Sequence, residues 1–118
     1  MYPTDRNIES RRNAMQIVLI DGFVVPEESR EEFLSRVQFS ADYIRTLPGF
    51  VEGYVHRRAA GESRFDIVTT AVWESDEAMQ NAKQAVAAFY QKVGFNLPDI
   101  MKRLGVRIER AEYRRKSY

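Results

Sequence analysis

The first strand-like segment of the chain is apolar on both of its faces, and this feature restricts the possible folds more than any other. The segment from Ile17 to Val25 is rich in β-branched residues and ends at Pro26, which cannot continue a hydrogen-bonded ladder. Only Asp21 and Gly22 interrupt its apolar character. A strand of this kind needs cover on both sides, so we predict a sheet that carries another layer of structure on each face.

The remaining hydrophobic patterns predict two long helices, three further strands and one short helix. In chain order these are a helix over Glu27–Leu47, strands over Phe50–Arg58 and Arg64–Glu74, a helix over Ser75–Gly94, a short helix over 96–105 and a strand over Val106–Tyr113. The order β-α-β-β-α-(short α)-β is that of the split βαβ unit. We therefore predict an α+β, ferredoxin-like fold with an antiparallel sheet.

Two helices cover only one face of such a sheet, and the chain contains no other element for the second face. Its 118 residues make a single domain, which at this length buries only about 65% of its unfolded surface. The economical cover is the same face of a second copy, so we predict a homodimer. We expect a polar leader over residues 1–15, the folded domain over 16–113 and a basic tail over 114–118.

Composition excludes several classes of function. The chain has no cysteine and a single histidine, His56, which excludes thiolate chemistry and leaves no recognisable metal site. The apolar run Ile17–Ile20 is far shorter than a membrane span, and the leader lacks the apolar core of a secretion signal, so we expect a cytoplasmic protein without a membrane partner. Seven basic residues lie between Lys102 and Lys116, and we interpret them as a solvated edge strand and tail rather than as a nucleic-acid surface.

The polar groups that strand alternation places on the helix-facing side are Asp21, Thr69 and Trp73. Trp73 is either the wall of a pocket or an ordinary core tryptophan. An ionised Asp21 in the middle of a strand is costly, so it is either a perturbed acid that faces a cavity or the partner of Arg64 or another basic group. Alternation also places Tyr54 on the same face as Phe50.

Three runs of the sequence, in this order, resemble the antibiotic biosynthesis monooxygenase superfamily of dimeric α+β barrels. They are FVVPE at 23–27, LPGF at 47–50 and AVWESDEA at 71–78. The resemblance extends over roughly residues 16–113. It implies a ferredoxin-like protomer, a dimer joined through its sheets, and a ligand cavity between the sheet and the helices of each subunit.

The resemblance implies two alternative chemistries. Haem-degrading members of the superfamily use an asparagine on the first strand and a tryptophan and a histidine on the second helix, and the matching positions here are Asp21, Ala82 and Gln91. All three differ, although Tyr90 lies next to the last. Cofactor-independent monooxygenases, which oxidise aromatic polyketides with dioxygen, share Trp73 with this chain.

The monooxygenase pattern is itself incomplete in this chain. Its asparagine four residues before the tryptophan is Thr69 here, and its tyrosine six residues after the tryptophan is Met79. The resemblance nevertheless favours a cofactor-independent monooxygenase of an aromatic small molecule. The alternatives are a ligand-binding barrel without catalysis and an atypical haem protein that uses Tyr90. The candidate catalytic residues are Trp73, Asp21 and Thr69, and the candidate substrate-binding residues are Tyr54, Met79, Phe89 and Tyr90.

Overall fold

The structure, a computed structural model, describes residues 15–118, so the predicted leader lies outside the described residues except for Met15. Four strands and three helices follow in the predicted order. They are β1 (Ile17–Val24), α1 (Arg30–Ile44), β2 (Phe50–Arg57), β3 (Ile67–Trp73), α2 (Asp76–Val93), α3 (Leu97–Leu104) and β4 (Arg107–Arg114). No helix among the described residues is long and apolar enough to cross a membrane.

The four strands form one antiparallel sheet in the order β2-β3-β1-β4, which confirms the ferredoxin-like prediction. The doubly apolar strand β1 is a central strand, between β3 and β4. In its middle, Asp21 is paired with Thr69 of β3 on one side and with Arg110 of β4 on the other. The register therefore joins one row of polar residues across three strands.

Helix ends occur where the sequence supplies capping groups. The Ser75 side chain accepts a hydrogen bond from the Ala78 amide at 3.1 Å at the start of α2, and Asn96 does the same for the Asp99 amide at the start of α3. Gly94 and Gly105 end these two helices with φ near +70°, a conformation that glycine adopts without a steric penalty.

Two elements begin three residues later than predicted. A 3-10 turn over Glu27–Ser29 precedes α1, in which the Ser29 amide donates to the Pro26 carbonyl. Strand β3 begins at Ile67 rather than at Arg64. The Arg58 guanidinium donates to the carbonyls of Ser63 and Phe65. Because these two carbonyls are bonded to a side chain rather than to a neighbouring strand, the regular ladder begins only at Ile67.

The helix-facing side of the sheet, the inner face, carries two separate apolar clusters. The first cluster consists of Phe23, Val25, Phe33, Ile67, Leu104 and Val106. The second consists of Ile17, Trp73, Met79 and Ala82. Because Phe23–Ile67 and Ile17–Trp73 are pairs at opposite ends of the β1–β3 ladder, the two clusters lie at opposite ends of the inner face.

The outer face of the sheet carries no helix of the described chain. Its valines and isoleucine on β1 are half-buried, whereas Tyr54 and Tyr113 are exposed. Phe65 covers Gly22 so closely that an added Cβ would lie 2.7 Å from the ring, which explains a glycine in the middle of an apolar strand.

Candidate functional site

The middle of the inner face, between the two apolar clusters, is polar. Arg110 donates from Nε and Nη2 to the two carboxylate oxygens of Asp21, at 2.7 and 2.8 Å. Asp21 is therefore the partner of a basic group, which was one of the two interpretations of its mid-strand position, and that basic group is Arg110. Arg64 instead pairs with Glu109. The hydrogen bonds from Arg110 to Asp21 raise the pKa of the guanidinium.

The two long helices add a hydroxyl pair to this region. Tyr90 of α2 donates to Ser40 Oγ of α1 at 2.6 Å. Burial raises the pKa of the Tyr90 phenol, while the hydrogen bond to Ser40 and the charge of Arg110 act in the opposite direction. A raised pKa keeps the phenol protonated at neutral pH. We call Asp21, Thr69, Arg110, Tyr90 and Ser40 the polar site.

Aromatic rings of α1, of α2 and of the segment between α2 and α3 form a cluster that includes Tyr90. Phe89 stacks on Tyr43 with centroids 4.0 Å apart and an interplanar angle of 8°, and Phe95 lies 4.7 Å from the ring of Tyr90. Phe39, Phe89 and Phe95 also line a surface groove of about 660 Å³ between the ends of the helices. The groove is lined by none of the polar-site residues, and Tyr90 connects the two, because its ring packs against Phe95 and its hydroxyl donates to Ser40.

Trp73 and Met79 lie in the second apolar cluster and are 3% and 1% exposed. The Trp73 ring meets Phe50 edge-on, with centroids 5.4 Å apart and an interplanar angle of 77°. Ala71 separates Trp73 from Thr69 along the inner face of β3. Trp73 and Met79 thus lie at one end of the region that contains the polar site.

Tyr54 is not brought together with the other predicted site residues. A register shift between Phe50 and Glu52 makes Val51 an extra residue, so alternation changes phase within β2. Phe50 remains on the inner face, but Tyr54 pairs with Thr70 on the outer face and is 59% exposed. His56, also exposed, lies on the same outer face, where its ring is 3.5 Å from the Thr70 hydroxyl.

Sequence reasoning missed two members of the polar site, Arg110 and Ser40. Arg110 counted only as one of the basic residues near the end of the chain. The available signal was Asp21 itself, because a mid-strand carboxylate requires a basic partner on a neighbouring strand. Several arginines of β4 satisfy that requirement, and only the strand register selects one of them.

The residues present do not fit a histidine-ligated haem. Ala82 is buried beside Trp73, Gln91 is exposed, and the Tyr90 hydroxyl is engaged by Ser40. The only histidine, His56, lies on the other side of the sheet. Within residues 15–118, no three carboxylate or histidine side chains are grouped closely enough to hold a metal ion.

Residues 15–88 match the family model described as antibiotic biosynthesis monooxygenase. Over 66 aligned residues the chain is 36% identical to a haem oxygenase (mycobilin-producing) of Mycobacterium tuberculosis. The aligned segment is 56% of this chain and 61% of that relative, so the chain spans less than two thirds of the relative's length.

Solved structures share the fold. SnoaB, a cofactor-independent oxygenase from Streptomyces nogalater, superposes with a TM-score of 0.65 at 22% identity over 89% of this chain and 97% of its own. A haem-degrading protein from Mycobacterium tuberculosis superposes with a TM-score of 0.53 at 30% identity, over 58% of this chain and 78% of its own. The similarity thus extends to proteins of both chemistries.

Proposed function

Because the chain belongs to the antibiotic biosynthesis monooxygenase family, we propose that it is a cofactor-independent monooxygenase of an aromatic, polyketide-like small molecule. The observation that supports this most is the polar site, which lies on the inner face between two apolar clusters. Apolar walls with a few convergent polar groups are typical of small-molecule sites.

The reaction requires no external reductant when the substrate itself is rich in electrons. In the oxidation of a ring CH₂ to C=O, the carbon gives up four electrons and two protons. One atom of dioxygen enters the carbonyl, and the other leaves as water. The protein has to hold the substrate where oxygen reaches it and to exclude water.

In this proposal Asp21 and Thr69 face the substrate from neighbouring strands, and Tyr90 faces it from α2. Trp73 and Met79 close the end of the site, and Phe89 supports the aromatic wall behind Tyr90. Tyr54 has no part in it, since it lies on the outer face.

The test is dioxygen consumption in an oxygen electrode with anthrone as the probe. We expect catalysis above the spontaneous rate, and a large loss in Asp21→Asn and in Thr69→Val. Asp42→Asn, which makes the same change at an exposed carboxylate of α1, is the matched control and should retain the rate. If the wild-type protein consumes no oxygen with anthrone but binds it, the ligand-binding alternative replaces the enzyme.

Haem binding is the second candidate, because the chain is 36% identical over 66 residues to a haem oxygenase. The residues at the polar site argue against it, so we expect haem titration to give no stoichiometric complex with a Soret band typical of histidine ligation. A tight one-to-one complex that is lost in Tyr90→Phe would establish the haem alternative instead.

We also propose that the outer face binds the same face of a second copy. This face is apolar along β1 and β3, and Tyr54 and Tyr113 add exposed aromatic surface beside it. Light scattering should give twice the chain mass of 13.8 kDa. Val18→Asp places a charge in that interface and should give a monomer or an unfolded chain.

A further inference from the structure

We propose that Arg110 binds an anionic oxygen of the substrate, so that the polar site selects aromatic molecules that carry a carboxylate or a phenolate. This specificity rests on the proposed function, because it assigns a substrate class to the same site.

The ion pair between Asp21 and Arg110 is asymmetric. The Asp21 side chain is 10% exposed, and both of its oxygens accept from Arg110, whereas the Arg110 side chain is 48% exposed. Among residues 15–118, Arg110 Nη1 has no hydrogen-bond partner. The pair is neutral overall, but its negative end is buried and its positive end, with free N–H groups, is accessible. Such an arrangement attracts an anion.

The neighbouring inner-face residues of β4 do not offer the same group. Glu112 pairs with Lys83 of α2 at 3.0 Å, and Arg114 pairs with Asp76 at the start of α2 at 2.6 Å. These contacts use exposed partners at the edge of the sheet. Arg110 is the one that reaches inward to a buried carboxylate, and its two hydrogen bonds to Asp21 hold the guanidinium in place.

The groups around Arg110 fit an aromatic anion better than an aliphatic one. Tyr90 gives its hydroxyl hydrogen to Ser40, which fixes the ring as part of the wall. Phe95 and Phe89 support that ring from behind. Ser40 thus positions the Tyr90 ring, and Asp21 positions the Arg110 guanidinium, whose charge acts on the Tyr90 hydroxyl.

The experiment compares two ligands of nearly equal shape, 2-naphthoate and 2-naphthamide, by isothermal titration calorimetry with the full chain at neutral pH. A charge-assisted hydrogen bond at a partly desolvated site corresponds to about 10- to 100-fold in affinity. We expect 2-naphthoate to bind more tightly than 2-naphthamide by that factor. Equal affinities, or a preference for the amide, would overturn the proposal.

Two variants test whether Arg110 causes the preference for 2-naphthoate. Arg110→Gln should abolish it, whereas Arg45→Gln, which changes an arginine with a 64% exposed side chain at the end of α1, should retain it. If Arg110→Gln does not fold, the double variant Asp21→Asn/Arg110→Gln removes both charges and retains a hydrogen-bonding pair. A preference that persists in the folded variant would assign the anion to another residue and overturn the proposal.

These measurements need no turnover, so they separate this inference from the proposed function. Discrimination by charge without any oxygen consumption would retain the anion site and reject the monooxygenase. Oxygen consumption without discrimination by charge would retain the monooxygenase and reject the role of Arg110.

Discussion

The two ends of the inner face differ from its middle in what they bury. At the ends, Phe33 and Met79 are each 1% exposed within apolar clusters. In the middle, Leu19, Thr69 and Ala71 are only half-buried, and Asp21, the one buried charged residue between positions 15 and 118, pairs with an arginine from β4. A continuous apolar core would stabilise the domain more, since burial of apolar surface contributes about 25 cal/mol per Å². The difference indicates that the ends hold the fold, and it is the reason why we place the proposed ligand in the middle.

The largest effect that tests this comparison is expected at the first cluster. Phe33→Ala removes a buried ring that packs 4.8 Å from Phe23, and we expect the free energy of unfolding to fall by about 3–5 kcal/mol. Urea denaturation measures it. Phe39→Ala, on the same helix but 40% exposed, is the control and should cost much less. Equal losses would mean that the clusters do not mark the stable part of the domain.

The second prediction concerns Trp73, where an end cluster meets the middle. Trp73→Phe retains an aromatic ring and deletes the indole N–H, so we expect unfolding to become easier by only about 1–2 kcal/mol. Oxygen consumption with anthrone should instead fall about a hundredfold, because a lost hydrogen bond or a misplaced substrate costs that much. An activity that falls only in proportion to the folded fraction would make Trp73 a packing residue alone.

The elements of this fold are predictable from the sequence because their signals are local. The period of the apolar residues, the Ser75 and Asn96 caps and the glycines that follow α2 and α3 each act within a few residues.

The polar site is less predictable because it depends on pairings between distant parts of the chain. Asp21 and Arg110 are 89 residues apart in sequence, and only the register of β4 against β1 brings them together. Tyr54 shows the same dependence. One extra residue near Val51 changes the phase of β2 and moves the tyrosine to the outer face, which no alternation rule anticipates.

The third prediction asks whether the middle contributes to stability at all. Arg110→Gln leaves the Asp21 charge buried without its partner, and because Arg110 is about half exposed we expect a loss of about 2 kcal/mol rather than the larger cost of a fully buried pair. Asp21→Asn/Arg110→Gln removes both charges and should stay within about 1 kcal/mol of wild type. Urea denaturation of the wild type and both variants measures the difference. If the double variant is as unstable as the single one, the pair serves the fold and the contrast with the ends is wrong.

The smallest effect is expected from a charged contact beside the first cluster. The Asp66 carboxylate accepts from the Val25 amide at 2.8 Å and pairs with Arg30 and Arg58, and the amide hydrogen bond and these charges lower its pKa below the ordinary value of 3.8. A carboxyl whose pKa is lower in the folded state stabilises the fold above the unfolded pKa and loses that contribution as the pH falls through the folded pKa. The stability advantage of wild type over Asp66→Asn should therefore be constant above about pH 5 and should shrink below about pH 4, as followed by urea denaturation across that range.

Asp42→Asn, which changes an exposed carboxylate on α1, should differ little from wild type at any of these pH values. An advantage for Asp66 that does not change with pH would mean that the first cluster is held by packing and hydrogen-bond geometry alone, and it would sharpen the contrast between apolar ends and a charged middle.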